Sequence, residues 1–228
     1  MKKGNLALRI IFYIGGLLIL ALGIILNTKS RLGVSPIISV AYSFATIWNL
    51  NFGNTTFVLY AIFVMIEMIL HFIMSKRQQA DTEKSLVLTL GKDLLQLPLS
   101  LAFTRFMNLF SAWIPAPSYG FGSKLVVLAM GIICTGIGAA MSLNMRLIPN
   151  PGDGIVQTIA DCIHKPVGFT KNCFDLMNIC ITISVGMIFA HRLVGVGIGT
   201  VIAVVGVGRV IAAFNYLCMK KMPETVGA

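Results

Sequence analysis

Six long apolar segments constrain the fold of this chain more than any other feature. They lie at about residues 6–28, 56–75, 86–110, 122–144, 171–190 and 194–217. A helix of about 20 residues crosses the hydrocarbon core of a bilayer, and each segment is close to that length. Apolar residues make up 57% of the chain and charged residues only 11%, whereas a soluble domain has about 25% charged residues. We therefore expect an all-α membrane protein with about six spans in a lipid bilayer.

The chain also matches itself, without a gap, at a shift of 115 residues. Eight pairs of identical residues result: Gly16 and Gly131, Gly23 and Gly138, Arg31 and Arg146, Leu32 and Leu147, Pro36 and Pro151, Ala45 and Ala160, Gly53 and Gly168, and Thr55 and Thr170. Most of these residues set backbone shape or charge, so the match is more than a coincidence of apolar residues. It predicts two repeats, at 1–113 and 114–228, and such duplication is typical of transporters.

The first apolar segment could also be interpreted as a secretory signal peptide, because it follows two lysines. However, its run from Leu6 to Leu26 is long for such a peptide, and residues 27–31 form a poor cleavage site. The segment also matches residues 122–144 of the second repeat. We therefore expect the first helix to be retained.

Two further segments, 34–49 and 150–164, are too short for comfortable spans. Each begins a helix at a proline, and the second is the more polar of the two. Their length suits helices that re-enter the protein or lie at the membrane interface, and the sequence leaves these alternatives open. With either, the six long segments are the only spans.

Charges between the segments predict the topology. Six spans place both termini on one side with eleven lysines and arginines, whereas four flank the other side. Positive charge is concentrated in cytoplasmic loops, so the termini are expected to be cytoplasmic. If both short segments crossed the membrane, this bias would weaken. Each repeat then has three spans, an odd number, so the second repeat is predicted to be inverted.

The two corners that precede the short helices are candidate substrate sites. A helix N-terminus with free N–H groups favours anions, and a capping residue followed by proline suits its first turn. The residues in question are Arg31 and Ser35 at the outward corner, and Arg146, Asn150, Pro151 and Asp153 at the inward corner. Alternatively, these are capped interfacial helices, and the two arginines only anchor the topology.

Ionisable residues within the spans are candidates for proton or ion coupling, because they are costly in a membrane and usually functional. They are Glu67, Asp93 and Asp175. Arg209 and Thr200 in the last span are further substrate-binding candidates. Salt bridges that fix helix packing would explain the charged residues equally well, and the neighbouring glycines indicate close helix packing or a broken helix.

Several other function classes find no support in the sequence. The five cysteines and three histidines are dispersed, so neither a metal site nor a disulfide framework is expected. The net charge of +10 comes from residues at the ends of apolar segments, where they set topology and contact anionic lipid rather than nucleic acid. No nucleophile–base pair suggests an enzyme, and no motif suggests a cofactor.

With these motifs assembled, the chain resembles the YczE/YyaS/YitT-like bacterial integral membrane proteins, and most closely the YczE branch. The resemblance rests on Gly16 and Gly23 before residues 31–36, on Pro151-Gly152-Asp153, and on residues 197–201. It implies a bacterial membrane protein of a largely uncharacterised family that is often described as transporting solutes. The family acid after the second corner corresponds to Asp175. Ile38 stands where the first repeat of the family has an acid, and Arg209 where a proline is common.

The sequence thus predicts an inner-membrane permease that moves a small polar or anionic solute by alternating access. A membrane component that does not transport, such as the substrate-capturing subunit of a larger importer or a scaffold for a partner, is the alternative. With either function, the sequence is compatible both with a homo-oligomer and with a complex that contains a partner subunit.

Overall fold

The computed structural model describes residues 6–77, 83–115 and 120–219. These residues form α1 (Leu6–Lys29), α2 (Pro36–Ile47), α3 (Phe52–Arg77), α4 (Glu83–Trp113), α5 (Phe121–Asn144), α6 (Pro151–Ile163), α7 (Val167–Ala190) and α8 (Ile198–Phe214), followed by a short π-helix, Asn215–Met219. Six of the described helices, all except α2 and α6, are long and apolar enough to cross a membrane. The predicted all-α fold with six membrane-length helices is confirmed. The terminal lysines of the topology prediction lie outside the described residues.

Three helices, α3, α7 and α8, begin four residues away from the predicted positions, for local reasons. α3 begins at Phe52 rather than 56, because the Asn51 side chain accepts a hydrogen bond from the N–H of Asn54 (2.9 Å) and caps the first turn. α7 begins at Val167 rather than 171, directly after Pro166 at the N-cap position. Because of this earlier start, Lys171 lies in the second turn of the helix instead of at its first residue.

The last helix begins at Ile198, four residues later than predicted, because the preceding chain pairs with the first corner. Gly195 has a φ of +82°, which favours glycine. Its carbonyl accepts a hydrogen bond from the N–H of Val34 (2.9 Å), and the N–H of Gly199 donates to the carbonyl of Leu32 (2.7 Å). The glycine-rich segment therefore joins α8 to the loop between α1 and α2.

The helices of the two halves begin at equivalent positions. The first residues of α1 and α5, of α2 and α6, of α3 and α7, and of α4 and α8 are each 115 residues apart. Two pairs of residues with positive φ follow the same shift: Arg31 (58°) with Arg146 (49°), and Asn49 (52°) with His164 (53°). The shift found in the sequence therefore extends to the backbone conformation of the loops.

Glycines bring α1 and α5 into backbone contact along an antiparallel interface. The N-terminal part of α1 contacts the C-terminal end of α5, where the Tyr13 hydroxyl donates to the carbonyl of Ile148 (2.7 Å). A Cβ on Gly16 would lie 2.9 Å from the nitrogen of Ser142, and one on Gly131 would lie 2.6 Å from the nitrogen of Asn27. Since 16 and 131 are equivalent, as are 27 and 142, the contact is reciprocal. A two-fold relation between two copies produces such reciprocity.

The short helices α2 and α6 pack inside the bundle, each against the opposite half. α2 contacts α7 and α3, and α6 contacts α3 and α7. With 12 and 13 residues, the two helices are roughly 18–20 Å long, which is too short to cross a core of about 30 Å. Both present buried faces to the long helices, so they are internal elements of the bundle.

Equivalent positions at these two interfaces carry different chemistry. Between α2 and α7, the Ser39 and Thr182 hydroxyls share a hydrogen bond of 2.7 Å. The equivalent positions between α6 and α3 are Gly154 and Glu67, and Glu67 Oε1 lies against the Cα of Gly154. One interface is therefore closed by two small hydroxyls, and the other contains a buried carboxyl group.

The Ser39–Thr182 contact is testable with a double-mutant cycle of Ser39→Ala and Thr182→Val. Each hydroxyl also lies within hydrogen-bonding distance of a carbonyl of its own helix, and the hydroxyl that donates across the interface cannot donate to its own carbonyl at the same time. The coupling energy, rather than either single effect, therefore reports the contact between α2 and α7. We expect a coupling of about 0.5–1.5 kcal/mol in unfolding experiments in detergent. Ser184→Ala is the matched control, because Ser184 is exposed and bonds only within α7 among the described residues. Equal coupling of Ser39 with Ser184 and with Thr182 would contradict the assignment.

Candidate functional site

The N-termini of α2 and α6 meet inside the bundle. Proline occupies the first turn of each helix, at Pro36 and Pro151. A Cβ on Gly152 would lie 2.8 Å from the Ile37 Cδ1, and 37 and 152 are equivalent positions of the two halves. The first turns of two helices, whose partial positive charge attracts negative charge, are therefore brought together inside the bundle.

The two helices are capped differently. The Asn150 Oδ1 accepts a hydrogen bond from the N–H of Gly152 (3.1 Å), and the Asn150 carbonyl accepts from the N–H of Gly154 (2.8 Å). Ser35 occupies the N-cap position of α2, as predicted, but its side chain makes no capping bond. The predicted side-chain cap is therefore present at Asn150 but not at Ser35, and α2 keeps its first N–H groups without a side-chain acceptor from Ser35.

A small cavity, called the central cavity below, lies where these N-termini meet. Its volume is about 50 Å³, enough for about one or two water molecules. Every long helix except α4 contributes to its lining, which consists of Leu20, Ile24, Ile37, Tyr60, Ala139, Asn150, Gly152, Asp153, Lys171, Val207 and Ile211. In this conformation the cavity is too small for a metabolite.

Two opposite charges face this cavity. Asp153 lies in the first turn of α6, and Lys171 Nζ is 3.8 Å from its Oδ1. Asp175, one turn further along α7, is buried, with Lys171 and Asp153 as its charged neighbours. The cavity thus combines a carboxylate, an ammonium group, the Asn150 amide and two helix N-termini, and this set can bind a small solute that carries both donors and acceptors.

The first corner lines a separate and larger cavity. It has a volume of about 600 Å³ and is lined by Thr28, Tyr42, residues 31–34, residues 192–193 and residues 195–197. Arg31 and Arg192 are both exposed there, so two guanidinium groups flank a polar cavity that can attract anions.

A second group of polar residues is buried between α3, α4 and α6. The Gln96 amide donates to Glu67 Oε2 (2.5 Å), and His71 Nδ1 donates to Asp93 Oδ2 (2.7 Å). His71 Nε2 lies 3.4 Å from the Thr158 hydroxyl of α6. Glu67 and Asp93, both predicted as coupling residues, therefore belong to one cluster, whereas Asp175 lies beside the central cavity.

The comparisons with known proteins place this architecture in a family. The family described as "Family of unknown function (DUF6198)" matches residues 7–216. The chain belongs to it. The "Uncharacterized membrane protein YczE" of Bacillus subtilis (strain 168) is 26% identical over 212 residues, which cover 92% of this chain and 86% of the relative. The resemblance to the YczE branch is thereby confirmed, and this is a membrane protein. No solved structure matches the chain.

In this member of the DUF6198 family, the predicted site residues lie in different places. Asn150 and Asp153 line the central cavity, and Pro151 begins the helix that carries them. Arg146 is exposed in the loop before this cap, and Arg209 is exposed on α8. The α8 residues that do face the cavity are Val207 and Ile211.

Thr200 is fully buried and has a structural role. Its Oγ1 accepts a hydrogen bond from the N–H of Gly197 (3.2 Å) and lies 3.4 Å from the carbonyl of Gly195. It therefore holds the glycine-rich segment against the first corner, and no cavity described above includes it in its lining.

The sequence analysis did not identify Lys171, Tyr60, Arg192, His71 or Gln96 as site residues. Because the sequence predicts that the fifth span begins at residue 171, Lys171 counts there only among the charges that flank the spans. The four-residue spacing of Glu67 with His71 and the three-residue spacing of Asp93 with Gln96 place each pair on one helix face, but spacing alone does not say which helices meet. A signal for His71 was available in its spacing from Glu67.

Proposed function

We propose that this protein is a permease of the bacterial inner membrane that moves a small polar or anionic solute by alternating access. The observation that carries the proposal is the central cavity inside the bundle of six membrane-length helices. There, two helix N-termini with proline in the first turn meet the pair of Asp153 and Lys171. Transporters commonly bind substrates near the bilayer midplane at such interrupted helices. In the present conformation the cavity is too small to hold such a solute.

The relation between the halves supports alternating access. The contacts of α1 with α5 are reciprocal and antiparallel, as two repeats related by a two-fold axis in the membrane plane would produce. Such repeats can exchange conformations, which would open the cavity first to one side and then to the other. We therefore propose that 1–113 and 114–228 are inverted repeats, with both termini cytoplasmic.

The class of solute follows from the groups at the cavity. Helix N-termini and the Lys171 ammonium group favour an anionic part of the solute, such as a carboxylate. Asp153 and the Asn150 amide offer acceptors for a polar or amino part. Arg31 and Arg192, at the larger cavity of about 600 Å³, would raise the local concentration of anionic solutes before these bind.

A ligand screen on the purified protein tests this proposal. We expect at least one solute among amino acids, organic acids, vitamins and drug-like cations to raise the melting temperature, because a ligand that binds only the folded state stabilises it. A polar or anionic ligand is expected rather than a cation. A panel in which no solute changes the melting temperature would count against a binding site of this kind.

One observation favours the second candidate, a membrane component that does not transport by itself. α8 is the least buried of the six membrane-length helices, and an apolar groove of about 390 Å³ runs between α5 and α8. A partner subunit could cover this face as well as lipid does. Co-purification of a pair of ATPase subunits from the native membrane would support this function, and uptake by the protein alone would exclude it.

A further inference from the structure

The buried carboxyl group of Glu67 is paired with an amide on one side only. Glu67 on α3 and Gln96 on α4 are each 1% exposed. Gln96 Nε2 donates to Glu67 Oε2 at 2.5 Å. The carboxyl and amide groups thus form half of a reciprocal pair, in which the second hydrogen bond is missing.

The other oxygen of each group is buried without a partner. Among the described residues, Glu67 Oε1 and Gln96 Oε1 are buried atoms with no hydrogen-bond partner. Both lie within 3.2 Å of the point where a Cβ on Gly154 would be, so the two oxygens converge on one place beside α6. Buried acceptors without donors destabilise a protein, and an unpaired buried carboxylate destabilises it more strongly.

A single proton on Glu67 gives both unpaired oxygens a hydrogen bond. We propose that Glu67 binds a proton in this conformation and forms a reciprocal acid–amide pair with Gln96, in which the Glu67 O–H donates to Gln96 Oε1 while Gln96 Nε2 donates to Glu67 Oε2. The proton comes from water and returns to water, and no other bond changes. Glu67 is then neutral in the bundle, which removes the cost of a buried charge.

The surroundings single out Glu67 among the three buried carboxyl groups of the described residues. Asp93 has His71 as its partner at 2.7 Å, and Asp175 has Lys171 as a charged neighbour. The cationic candidate near Glu67 is His71 on its own helix, and that ring already bonds Asp93.

Among the described residues, the other helices packed against α3 place no cation beside Glu67. α4 contributes Asp93 as the charged neighbour, whereas its Lys92 and Arg105 are exposed. α6 contributes Asp153, which pairs with Lys171, and the exposed Asp161. Between residues 36 and 47, α2 contains no Asp, Glu, Lys, Arg or His. A proton is therefore the positive charge that this position can accept.

Gly154 connects this proton site to the central cavity. It follows Asp153 directly in α6, and Glu67 Oε1 lies against its Cα. If the protein transports as proposed, loss of the proton would place a charge against the helix that carries Asp153. This consequence rests on the proposed function, whereas the proton site itself does not.

Infrared spectroscopy of the purified protein near neutral pH tests the proposal without any substrate. We expect the wild type to show the carbonyl stretching band of a protonated carboxylic acid, and Glu67→Gln to lose it. Asp175→Asn, which alters another buried carboxyl group, is the matched control and should keep the Glu67 band. In Gln96→Leu the band should move to higher frequency, because the acid loses its amide partner.

Two results would overturn the proposal. One is a wild-type spectrum without a protonated-acid band, which needs no variant to interpret. The other is a band that persists unchanged in Glu67→Gln. A protein that shows the band but moves no solute would contradict the proposed function and leave the proton site supported, so the two failures are distinguishable.

Discussion

Replacing Gly138 with leucine is expected to destabilise the folded protein by at least about 3 kcal/mol, at the upper end of the usual effect of overpacking. A Cβ on Gly138 would lie 2.6 Å from the carbonyl oxygen of Gly16 and 2.7 Å from the Cα of Leu20, both on α1. These are backbone atoms of a helix, so they cannot move aside as a flexible side chain would. Unfolding of the purified variant in detergent, together with its yield from membranes, measures the loss.

Gly122→Leu is the matched control, because Gly122 lies in the same helix and a Cβ there meets nothing within 4 Å. It should leave stability unchanged or raise it slightly, since leucine is a better helix former than glycine by up to about 1 kcal/mol. Gly23→Leu, at the equivalent position of α1, should be as damaging as Gly138→Leu. Similar stabilities for Gly138→Leu and Gly122→Leu would contradict the reciprocal interface.

Asp153→Asn is expected to lower solute binding and flux about 10- to 100-fold. This substitution keeps the shape of the side chain and removes the charge that pairs with Lys171 at the cavity. Hydrogen bonds to charged groups contribute about 1.5–3 kcal/mol, which corresponds to this range of affinity. Ligand-induced stabilisation and flux into liposomes both measure the change.

Asp161→Asn serves as the control for Asp153→Asn. It makes the same chemical change on the same helix, but Asp161 is exposed and does not line the central cavity. It should bind and transport as the wild type does. Equal activity of the wild type and of both variants would show that Asp153 has no part in the site.

The sequence was sufficient to predict what depends on length and on local chemistry. Six apolar segments became six membrane-length helices, and Pro36 and Pro151 begin the two short helices, as their fixed φ favours. The 115-residue shift predicted equivalent corners at Arg31 and Arg146, and both arginines have a positive φ. These features are set within a few residues of chain, so a single sequence contains them.

The rotation of a uniformly apolar helix could not be predicted in the same way. A helix that is apolar all round has no face that identifies its packed side, so the sequence did not indicate that Val207 and Ile211 of α8 face the cavity and that Arg209 is exposed. Partners across helices were missed for a related reason. Gln96 meets Glu67, and Lys171 meets Asp153, only because particular helices are neighbours in space.

The proposed transport is tested most directly by measuring flux into liposomes that contain this protein alone. The solute should be one that raises the melting temperature of the wild type, and Asp161→Asn and Asp153→Asn should be reconstituted in parallel. We predict uptake or exchange by the wild type and by Asp161→Asn, and a loss of about 10-fold or more for Asp153→Asn. The absence of flux for every stabilising solute, in liposomes that contain correctly folded protein, would contradict a permease.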